Sequence, residues 1–318
     1  MVRLLGDEEV ERALSMREVI EAVERAFALY STGRALMPQR VHVPVREHGG
    51  TILLMPCYLP EMGVFSVKYV TVYPANPSRG LPTIFASLLI SDPTTGEPKV
   101  LADARAATGM RTGAATAVSI KHLSRTREGA LGIVGCGYQA RWQLRAALEV
   151  MRVEKLFLHD VVRSRAVELG EEASGRYGLD VEVADGVRRL AAGSDVIITA
   201  TTSSEPFLKA EWVKPGTHIS AIGAFTPQMA ELEAELVASS KVVVDSREAA
   251  KAEAGDVIQA VQKGLMRWED VHAELGEVVA GIRPGRENED EVTVFKSVGL
   301  AVQDAAVAAL LLKRMSGG

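Results

Sequence analysis

The strongest constraint on the fold is an alternation of short apolar runs with helical segments after residue 127. The runs are rich in valine, leucine and isoleucine, and they occupy residues 131–135, 155–160, 181–183, 195–200, 218–222 and 241–245. Most are separated by segments of helical character, such as 140–150 and 163–176. This alternation is typical of a parallel sheet with helices on both faces. We therefore predict a doubly wound, Rossmann-type α/β domain over residues 116–295.

A glycine-rich segment, Gly135-Cys-Gly137-Tyr-Gln-Ala140, ends the first of these runs and opens a helix. Gly135 permits a tight turn, Gly137 lets the backbone approach a pyrophosphate, and the small Ala140 lets the helix pack on the strand. The N–H groups at the start of that helix can then hold the anion. Asp160 ends the next run, 25 residues after Gly135, where a carboxylate can accept the ribose hydroxyls. The pattern predicts a nicotinamide dinucleotide site. The alternative is a glycine turn with an aspartate that caps its own helix.

The residues beside this aspartate bear on which dinucleotide binds. The Asp160 carboxylate would repel a 2′-phosphate and so favours NAD. Arg163 and Arg165 follow it and could instead contact that phosphate, or they are solvated residues at a helix start. The sequence thus predicts NAD or NADP as cofactor, with NAD favoured.

The first hundred residues do not alternate strands and helices in this way. Residues 16–30 place apolar side chains on one helical face, with Ser15 as N-cap, and predict a cover helix. Runs at 40–45, 51–55, 65–73 and 83–91 predict a mostly antiparallel sheet. Residues 295–315 are rich in alanine and leucine and are predicted to be helical. Chain ends often return to a neighbouring domain, so we predict an α+β antiparallel-sheet domain from residues 1–115 plus 296–318.

Composition excludes several classes of protein. The net charge of −5 gives the chain no electrostatic reason to bind nucleic acid or anionic lipid. An acidic N-terminus and the lack of an apolar run of about 18 residues predict neither a signal peptide nor a membrane span, and hence a cytoplasmic protein. Cys57 and Cys136 form no disulfide framework, and no histidine or cysteine pair has metal-ligand spacing, so no metal is expected.

Many ordered motifs together resemble the ornithine cyclodeaminase/μ-crystallin family of nicotinamide-dependent enzymes. Beside the glycine-rich segment, the matching runs are Met55-Pro56, Val67-Lys68 with Tyr73-Pro-Ala-Asn76, Gly80-Leu-Pro-Thr83, Asp92-Pro-Thr-Thr-Gly96, Arg111-Thr-Gly-Ala114, Gly216-Thr-His218 with Gly223, Gly255-Asp256, and Phe295-Lys-Ser-Val-Gly299 with Asp304. The resemblance spans nearly the whole chain. It implies a homodimer in which the antiparallel domain, completed by the C-terminal helix, forms the interface, with the substrate in a cleft below the nicotinamide.

The resemblance also implies which cations hold a substrate carboxylate. Lys68 and Arg111 match the family positions that do so, and Arg40 resembles a third contact. Independently of the family, Lys68 interrupts an apolar strand, which is an unfavourable place for an ammonium without an anionic partner. A strand-edge lysine that snorkels to water is the alternative. Arg111 stands in a helix of small residues and could bind a carboxylate bidentately, or it is an exposed arginine paired to Asp103 or Asp92.

Further roles follow from the resemblance on the cofactor side. Gly137, Tyr138, Gln139 and Ala140 match residues that contact the pyrophosphate, and Asp160 matches a ribose ligand. Thr112 and Gly113 would let their helix approach the cofactor. Thr201 and Ser203 would line a strand end beside it, although both could simply cap turns in a Thr/Ser-rich loop. Ile222 and Ser297 would approach the nicotinamide.

The chain departs from the cyclodeaminases of this family at two positions. Leu53 and Phe225 stand where those enzymes carry a glutamate and an aspartate, and deaminating cyclisation requires a carboxylate base. The run Gly223-Ala-Phe-Thr-Pro227 is instead similar to family members that reduce cyclic ketimines, with Phe225 as an apolar wall for the ring. The predicted reaction is reduction of an α-imino acid, such as Δ1-pyrroline-2-carboxylate or Δ1-piperideine-2-carboxylate, to an L-amino acid, with Lys68 as a possible proton donor to nitrogen. Alanine dehydrogenase, ornithine cyclodeaminase and a non-catalytic, μ-crystallin-like NADP-dependent hormone-binding protein are the alternatives.

Overall fold

The computed structural model describes residues 2–316. The chain forms two compact units, one from the residues up to Arg111 together with those from Leu300 onward, and the other from Thr112–Gly299. The described strands, in chain order, are β1 (Arg3–Leu5), β2 (Val41–Val45), β3 (Gly50–Leu59), β4 (Val64–Val72), β5 (Ile84–Ser91), β6 (Pro98–Asp103), β7 (Glu128–Val134), β8 (Arg152–His159), β9 (Val181–Val183), β10 (Val196–Thr199), β11 (His218–Ala221), β12 (Lys241–Val244), β13 (Ala273–Glu274) and β14 (Thr293–Lys296).

Helices flank the strands in both units. The described α-helices, in chain order, are α1 (Asp7–Ala13), α2 (Met16–Ser31), α3 (Arg105–Leu123), α4 (Tyr138–Leu148), α5 (Arg163–Tyr177), α6 (Val187–Gly193), α7 (Ala234–Ala238), α8 (Arg247–Glu253), α9 (Gly255–Gln262), α10 (Leu275–Val279) and α11 (Ala301–Ser316). Within residues 2–316, no helix combines the length and the apolar character that a bilayer span requires.

The first unit is built on a sheet with the strand order β1-β6-β5-β4-β3-β2. Its strands β2 to β6 pair antiparallel in sequence order, and β1 adds parallel to β6. The predicted antiparallel runs are confirmed as β2 to β5. The predicted cover helix is confirmed as α2, whose N-cap Ser15 accepts the Glu18 N–H at 3.3 Å. β1 and β6 were not predicted, because short strands of this kind are stabilised by their partners rather than by their own composition.

Helix α11 covers the sheet of the first unit. It packs against α2 and against strands β3 and β4. Its inner face is made of small apolar side chains, among them the buried Ala305, Ala308 and Leu311. The C-terminal segment therefore completes the core of a unit that begins about 300 residues earlier in the chain.

The second unit contains the predicted parallel sheet. Its strand order is β13-β12-β14-β11-β10-β7-β8-β9, and every pairing is parallel. The order reverses at β7, so that β8 lies on one side and β10 on the other, which is the switch point where doubly wound folds bind ligands. The α/β fold class predicted from the alternation is confirmed.

The prediction of one helix over residues 295–315 is wrong at its start. Thr293–Lys296 forms strand β14, inserted between β11 and β12, and the helix begins only at Ala301. The run Thr-Val-Phe has strand character, and β14 pairs on both sides in the middle of the sheet. Gly299, with a φ of +80°, then separates the strand from the helix.

Candidate active site

A buried cluster of charged side chains lies in the first unit. Lys68 on β4 donates from Nζ to Asp304 Oδ1 of α11 at 2.8 Å and lies 2.8 Å from Oδ2. Arg111 of α3 places Nε 3.3 Å from Asp304 Oδ1 and donates from Nη1 to Gln303 Oε1 at 2.7 Å. Lys68 is 3% exposed, Arg111 8% and Asp304 1%. Two cations therefore contact one carboxylate in a site that is almost inaccessible to solvent.

The cluster carries an excess of positive charge. The pKa of Lys68 is lowered to about 8, mainly by burial; the charges of Arg111 and Arg40 also lower it, whereas Asp304 raises it. Arg40 is thus close enough to act electrostatically on Lys68. A buried positive site of this kind stabilises a bound anion, and a guanidinium beside an ammonium suits a carboxylate. The cluster can therefore bind the carboxylate of a small acid.

The alternatives to this arrangement do not hold in the structure. Lys68 does not snorkel to water, because its side chain is buried and paired with Asp304. Arg111 is not an exposed helix arginine. The expected partners Asp103 and Asp92 instead accept backbone N–H groups of Arg105 and Thr94 in local turns. The sequence did not reveal the partner of these two cations, which is Asp304.

Two residues of α11 complete the cluster and were not among the predicted site residues. Asp304 is a single carboxylate in a helix of alanine, valine and leucine, and Gln303 precedes it. Both are buried, and Gln303 Nε2 has no hydrogen-bond partner. A lone carboxylate on the apolar face of a helix is the signal that could have identified Asp304, since such a group requires a buried cation.

The strand next to Lys68 carries no acid on the same face. Met55 on β3 pairs with Lys68, and Leu53 pairs with Val70. Because alternate residues of a strand share a face, Leu53 lies on the face of Lys68. Leu53 occupies the position at which the sequence comparison with cyclodeaminases expects a glutamate. The general base required for deaminating cyclisation is therefore absent at this position.

In the second unit, the glycine-rich segment forms the turn between β7 and α4. Gly135 has a φ of +88°, and a Cβ there would lie 2.7 Å from the Ala200 carbonyl oxygen, so only glycine fits. A Cβ on Gly137 would point into open space. Helix α4 begins at Tyr138, with Gly137 as N-cap and no side chain capping its N–H groups. The turn leaves both the room and the donors that a pyrophosphate requires.

The other residues predicted to contact the cofactor near this turn differ in their exposure and in their contacts. Tyr138 is 37% exposed and packs edge-to-face on Trp142. Gln139 keeps a buried Oε1 without a hydrogen-bond partner. Ala140 is fully buried, as close packing of α4 on the sheet requires. Thr112, on α3, is buried as well.

Asp160 stabilises the glycine turn through a hydrogen bond. Its Oδ2 accepts the N–H of Cys136 at 2.8 Å, and its Oδ1 accepts the N–H of Val162 at 2.7 Å. The carboxylate is partly exposed, so it remains accessible to a hydroxyl. Arg163 is exposed and its Nη1 lies 3.5 Å from Asp185 Oδ1. Asp160 thus contacts the glycine turn and the backbone just before α5, but it does not cap that helix, whose N-cap is Val162.

Three residues predicted to lie beside the cofactor follow the carboxyl ends of the parallel strands. Thr201 follows β10 and donates from Oγ1 to Glu231 Oε1 at 2.8 Å. Ser203 bonds within its own turn, to Glu205, as the capping alternative expects. Ile222, directly after β11, is 9% exposed. Parallel strands end at one edge of a sheet, so these residues share that edge.

Two further predicted residues lie in loops of the same unit. Ser297 follows β14 and is buried, with its hydroxyl donating to Asp245 Oδ2 at 2.8 Å. Phe225 is 41% exposed in the loop after β11. Across residues 2–316, histidine, cysteine, aspartate and glutamate side chains form no group of three or more that could hold a metal ion.

Related proteins match this chain over nearly its full length. Residues 2–318 match the sequence model of the ornithine cyclodeaminase/mu-crystallin family. Alanine dehydrogenase of Archaeoglobus fulgidus is 42% identical over 305 residues, which cover 96% of this chain and 92% of the relative.

Two solved structures show the same fold. The first is Thermococcus litoralis Δ1-pyrroline-2-carboxylate reductase in complex with NADH and L-proline, with a TM-score of 0.94 and 43% identity over 99% of this chain and 97% of that chain. The second is an archaeal alanine dehydrogenase dimer with bound NAD, with a TM-score of 0.93 and 40% identity over 98% of this chain and 95% of that chain.

Proposed function

This chain belongs to the ornithine cyclodeaminase/mu-crystallin family, and from that membership we propose that it is an NAD(P)H-dependent reductase of α-imino acids. The reaction converts the C=N bond of the substrate to the CH–NH bond of an L-amino acid. The preferred substrate is a cyclic ketimine such as Δ1-pyrroline-2-carboxylate or Δ1-piperideine-2-carboxylate. The similarity to a solved Δ1-pyrroline-2-carboxylate reductase, at 43% identity, supports this substrate class.

The observation that carries the proposal is the buried cationic cluster. Lys68 and Arg111 together exceed the charge of Asp304 by one, and Arg40 adds to the positive potential at Lys68. A carboxylate that enters would balance this charge in a site of low dielectric. Binding there fixes the α-carbon relative to the cations, and orientation of this kind contributes much of the rate in a reaction between two bound partners.

Lys68 is also suited to supply the proton. An amine with a pKa of about 8 is largely protonated at neutral pH and yet gives up its proton readily. An α-imino acid that enters unprotonated gains this proton on nitrogen while the α-carbon is reduced. A cyclic imine that arrives protonated needs only the carboxylate contact.

The second unit fits the nicotinamide cofactor, which when bound supplies the hydride to the C=N carbon. The open space at Gly137 would admit a pyrophosphate, and the uncapped N–H groups of α4 would donate to it. Asp160 would hold the adenosine ribose and disfavours a 2′-phosphate, so NAD is the preferred cofactor. Thr112, Thr201, Ser203, Ile222 and Ser297 remain proposed contacts.

The cyclodeaminase alternative is less well supported. Leu53 lies on the face of Lys68 without a carboxylate, and Phe225 replaces the second acid. Phe225 is largely exposed and offers an apolar surface for a five- or six-membered ring. Alanine dehydrogenase is the second candidate, because the Archaeoglobus relative is 42% identical. It shares the carboxylate site and the hydride transfer but uses the acyclic imine of pyruvate and ammonia.

A panel of imino acids tests the proposal. Purified protein should oxidise NADH with Δ1-pyrroline-2-carboxylate or Δ1-piperideine-2-carboxylate, and less efficiently with NADPH. Pyruvate with ammonia should give a lower kcat/KM, by about tenfold or more, because an acyclic imine gains little from an apolar ring wall. The reverse ranking would make the chain an alanine dehydrogenase. Saturable cofactor binding without turnover of any imino acid would instead favour a hormone-binding role of the μ-crystallin type.

We also propose that the chain works as a cytoplasmic homodimer, joined through the outer face of the antiparallel sheet. This face is the one opposite Lys68, and it exposes apolar side chains on neighbouring strands: Val41, Val43, Leu54, Tyr69, Phe85 and Leu101. Contiguous exposed apolar surface of this kind marks interaction sites. The similarity to a solved dimer supports a second copy as the occupant.

Charges on this face should separate the subunits. We expect the double substitution Leu54→Glu and Phe85→Glu to convert a dimer to a monomer in sedimentation velocity, since two buried unpaired carboxylates per subunit disfavour an apolar contact. Leu265→Glu, at a residue of the second unit that is 45% exposed, is the control and should leave the dimer intact. A double variant that stays dimeric would exclude this face as the interface.

A further inference from the structure

Three charged residues are buried together in the second unit. Glu231 and Lys296 are 0% exposed and Asp256 is 1% exposed. Lys296, the last residue of β14, places Nζ 2.8 Å from Asp256 Oδ2. Asp256 Oδ1 accepts the N–H groups of Glu231 and Leu232 at 2.6 and 2.8 Å. The Lys296–Asp256 pair thus fixes the backbone on which Glu231 stands.

The Glu231 carboxylate joins the ends of two adjacent parallel strands. Its Oε1 accepts the N–H and the hydroxyl of Thr201 at 2.7 and 2.8 Å. Its Oε2 accepts the hydroxyl of Thr199 and the N–H of Gly223, both at 2.8 Å. Thr199 and Thr201 belong to the end of β10, and Gly223 to the end of β11. One side chain therefore holds both turns with four hydrogen bonds.

The turn after β11 has no room to move toward this carboxylate. A Cβ on Gly223 would lie 2.4 Å from Glu231 Oε1 and 2.3 Å from the Thr201 carbonyl oxygen. The backbone of Gly223 is thus in direct contact with Thr201 and with the Glu231 carboxylate. Any shortening or loss of the Glu231 side chain would release the two turns together.

The cluster also has a net charge. Burial and Asp256 raise the pKa of Glu231, whereas Lys296, Thr201 and Thr199 lower it. Each oxygen accepts one backbone N–H, which can only donate, and the charge of Lys296 acts in the same direction, so both contacts favour the ionised form. With Glu231 ionised, two carboxylates and one ammonium leave one uncompensated negative charge near the carboxyl ends of β10 and β11.

We propose that Glu231 is a positioning residue for the nicotinamide end of the cofactor, and that its charge favours the oxidised form of that cofactor. The inference rests on the proposed function, in which Ile222 approaches the nicotinamide and Thr201 lines the neighbouring strand end beside the cofactor. The oxidised ring is a cation and the reduced ring is neutral, so a fixed buried negative charge stabilises the former relative to the latter. Such a charge assists hydride donation, because positive charge develops on the ring as the hydride leaves.

The test measures binding of each cofactor form without substrate. NAD⁺ and NADH are titrated separately into the wild-type protein, Glu231→Gln and Glu231→Asp, with calorimetry as readout. Glu231→Gln keeps the size but removes the charge. We expect both Kd values to rise, and the ratio of the Kd of NAD⁺ to that of NADH to rise about three- to tenfold. Glu231→Asp keeps the charge but cannot reach all four donors, so both Kd values should rise with their ratio unchanged.

Each outcome is decisive. Glu235→Gln, at an exposed residue of α7, is the matched control and should bind both forms like the wild type. An unchanged ratio in a folded Glu231→Gln protein would overturn the charge effect. Wild-type affinities in Glu231→Asp would overturn the positioning role, which this variant tests on its own even if Glu231→Gln does not fold. If the wild-type protein binds neither form, the proposed function fails and this inference fails with it.

Discussion

Replacement of Lys68 by methionine should lower kcat/KM for a cyclic imino acid by a factor on the order of 10³, while the Kd of NADH stays within about twofold. Methionine fills the buried space but removes the ammonium that holds the carboxylate and donates the proton. The cofactor contacts proposed for the second unit do not involve Lys68. The variant should remain folded, because Asp304 still has Arg111 as partner, 3.3 Å from its Oδ1.

The pH dependence gives a second readout of the same residue. Lys68, with a pKa of about 8, loses its proton as the pH rises through that value. The wild-type kcat/KM should therefore fall on the alkaline side above about pH 8. Lys68→Arg should abolish this decline even if its activity is low, since a guanidinium remains charged throughout the range.

Steady-state kinetics with parallel NADH titration checks both expectations. Lys99→Met, at a lysine of the same sheet whose side chain is 38% exposed, is the matched control and should keep wild-type activity. Undiminished turnover in Lys68→Met would remove Lys68 from the site. An alkaline decline that persists in Lys68→Arg would assign the titration to another group.

The sequence predicts those parts of the site that depend on neighbouring residues. The turn at Gly135 needs a residue with positive φ, a strand before it and a helix after it, and all three are contiguous in the chain. Lys68 was identified for a similar reason, because an ammonium among valines on one strand signals an anionic partner nearby. In both cases local physics limits the choice of structure.

The missed features depend on contacts between distant segments. The partner of Lys68 is 236 residues away, on a helix whose composition indicates only that it is buried. Thr293–Lys296 becomes a strand because β11 and β12 both pair with it, and Glu231 acquires its role from the ends of two other strands. Pairings of this kind are set by the tertiary fold, which local propensity does not contain.

Of the single substitutions in the cationic cluster, Asp304→Asn should give the largest decrease in the free energy of unfolding. It leaves Lys68 and Arg111 buried beside each other without a counter-charge, and breaking one partner of a buried pair typically costs about 3–5 kcal/mol in free energy of unfolding. Urea denaturation measures this loss. Glu21→Gln, at an exposed glutamate of α2, is the control and should change the free energy by less than about 0.5 kcal/mol.

The double variant Lys68→Met with Asp304→Asn separates charge from packing. If unpaired charge causes the loss, removing Lys68 as well should recover about 1–3 kcal/mol relative to Asp304→Asn alone, because a single buried cation then remains. Asp304→Asn should also move the alkaline decline of any residual kcat/KM to lower pH, since Asp304 is the group that raises the pKa of Lys68. Additive stability losses, or an unmoved pH profile, would mean that Asp304 stabilises the helix packing and not the charge of Lys68.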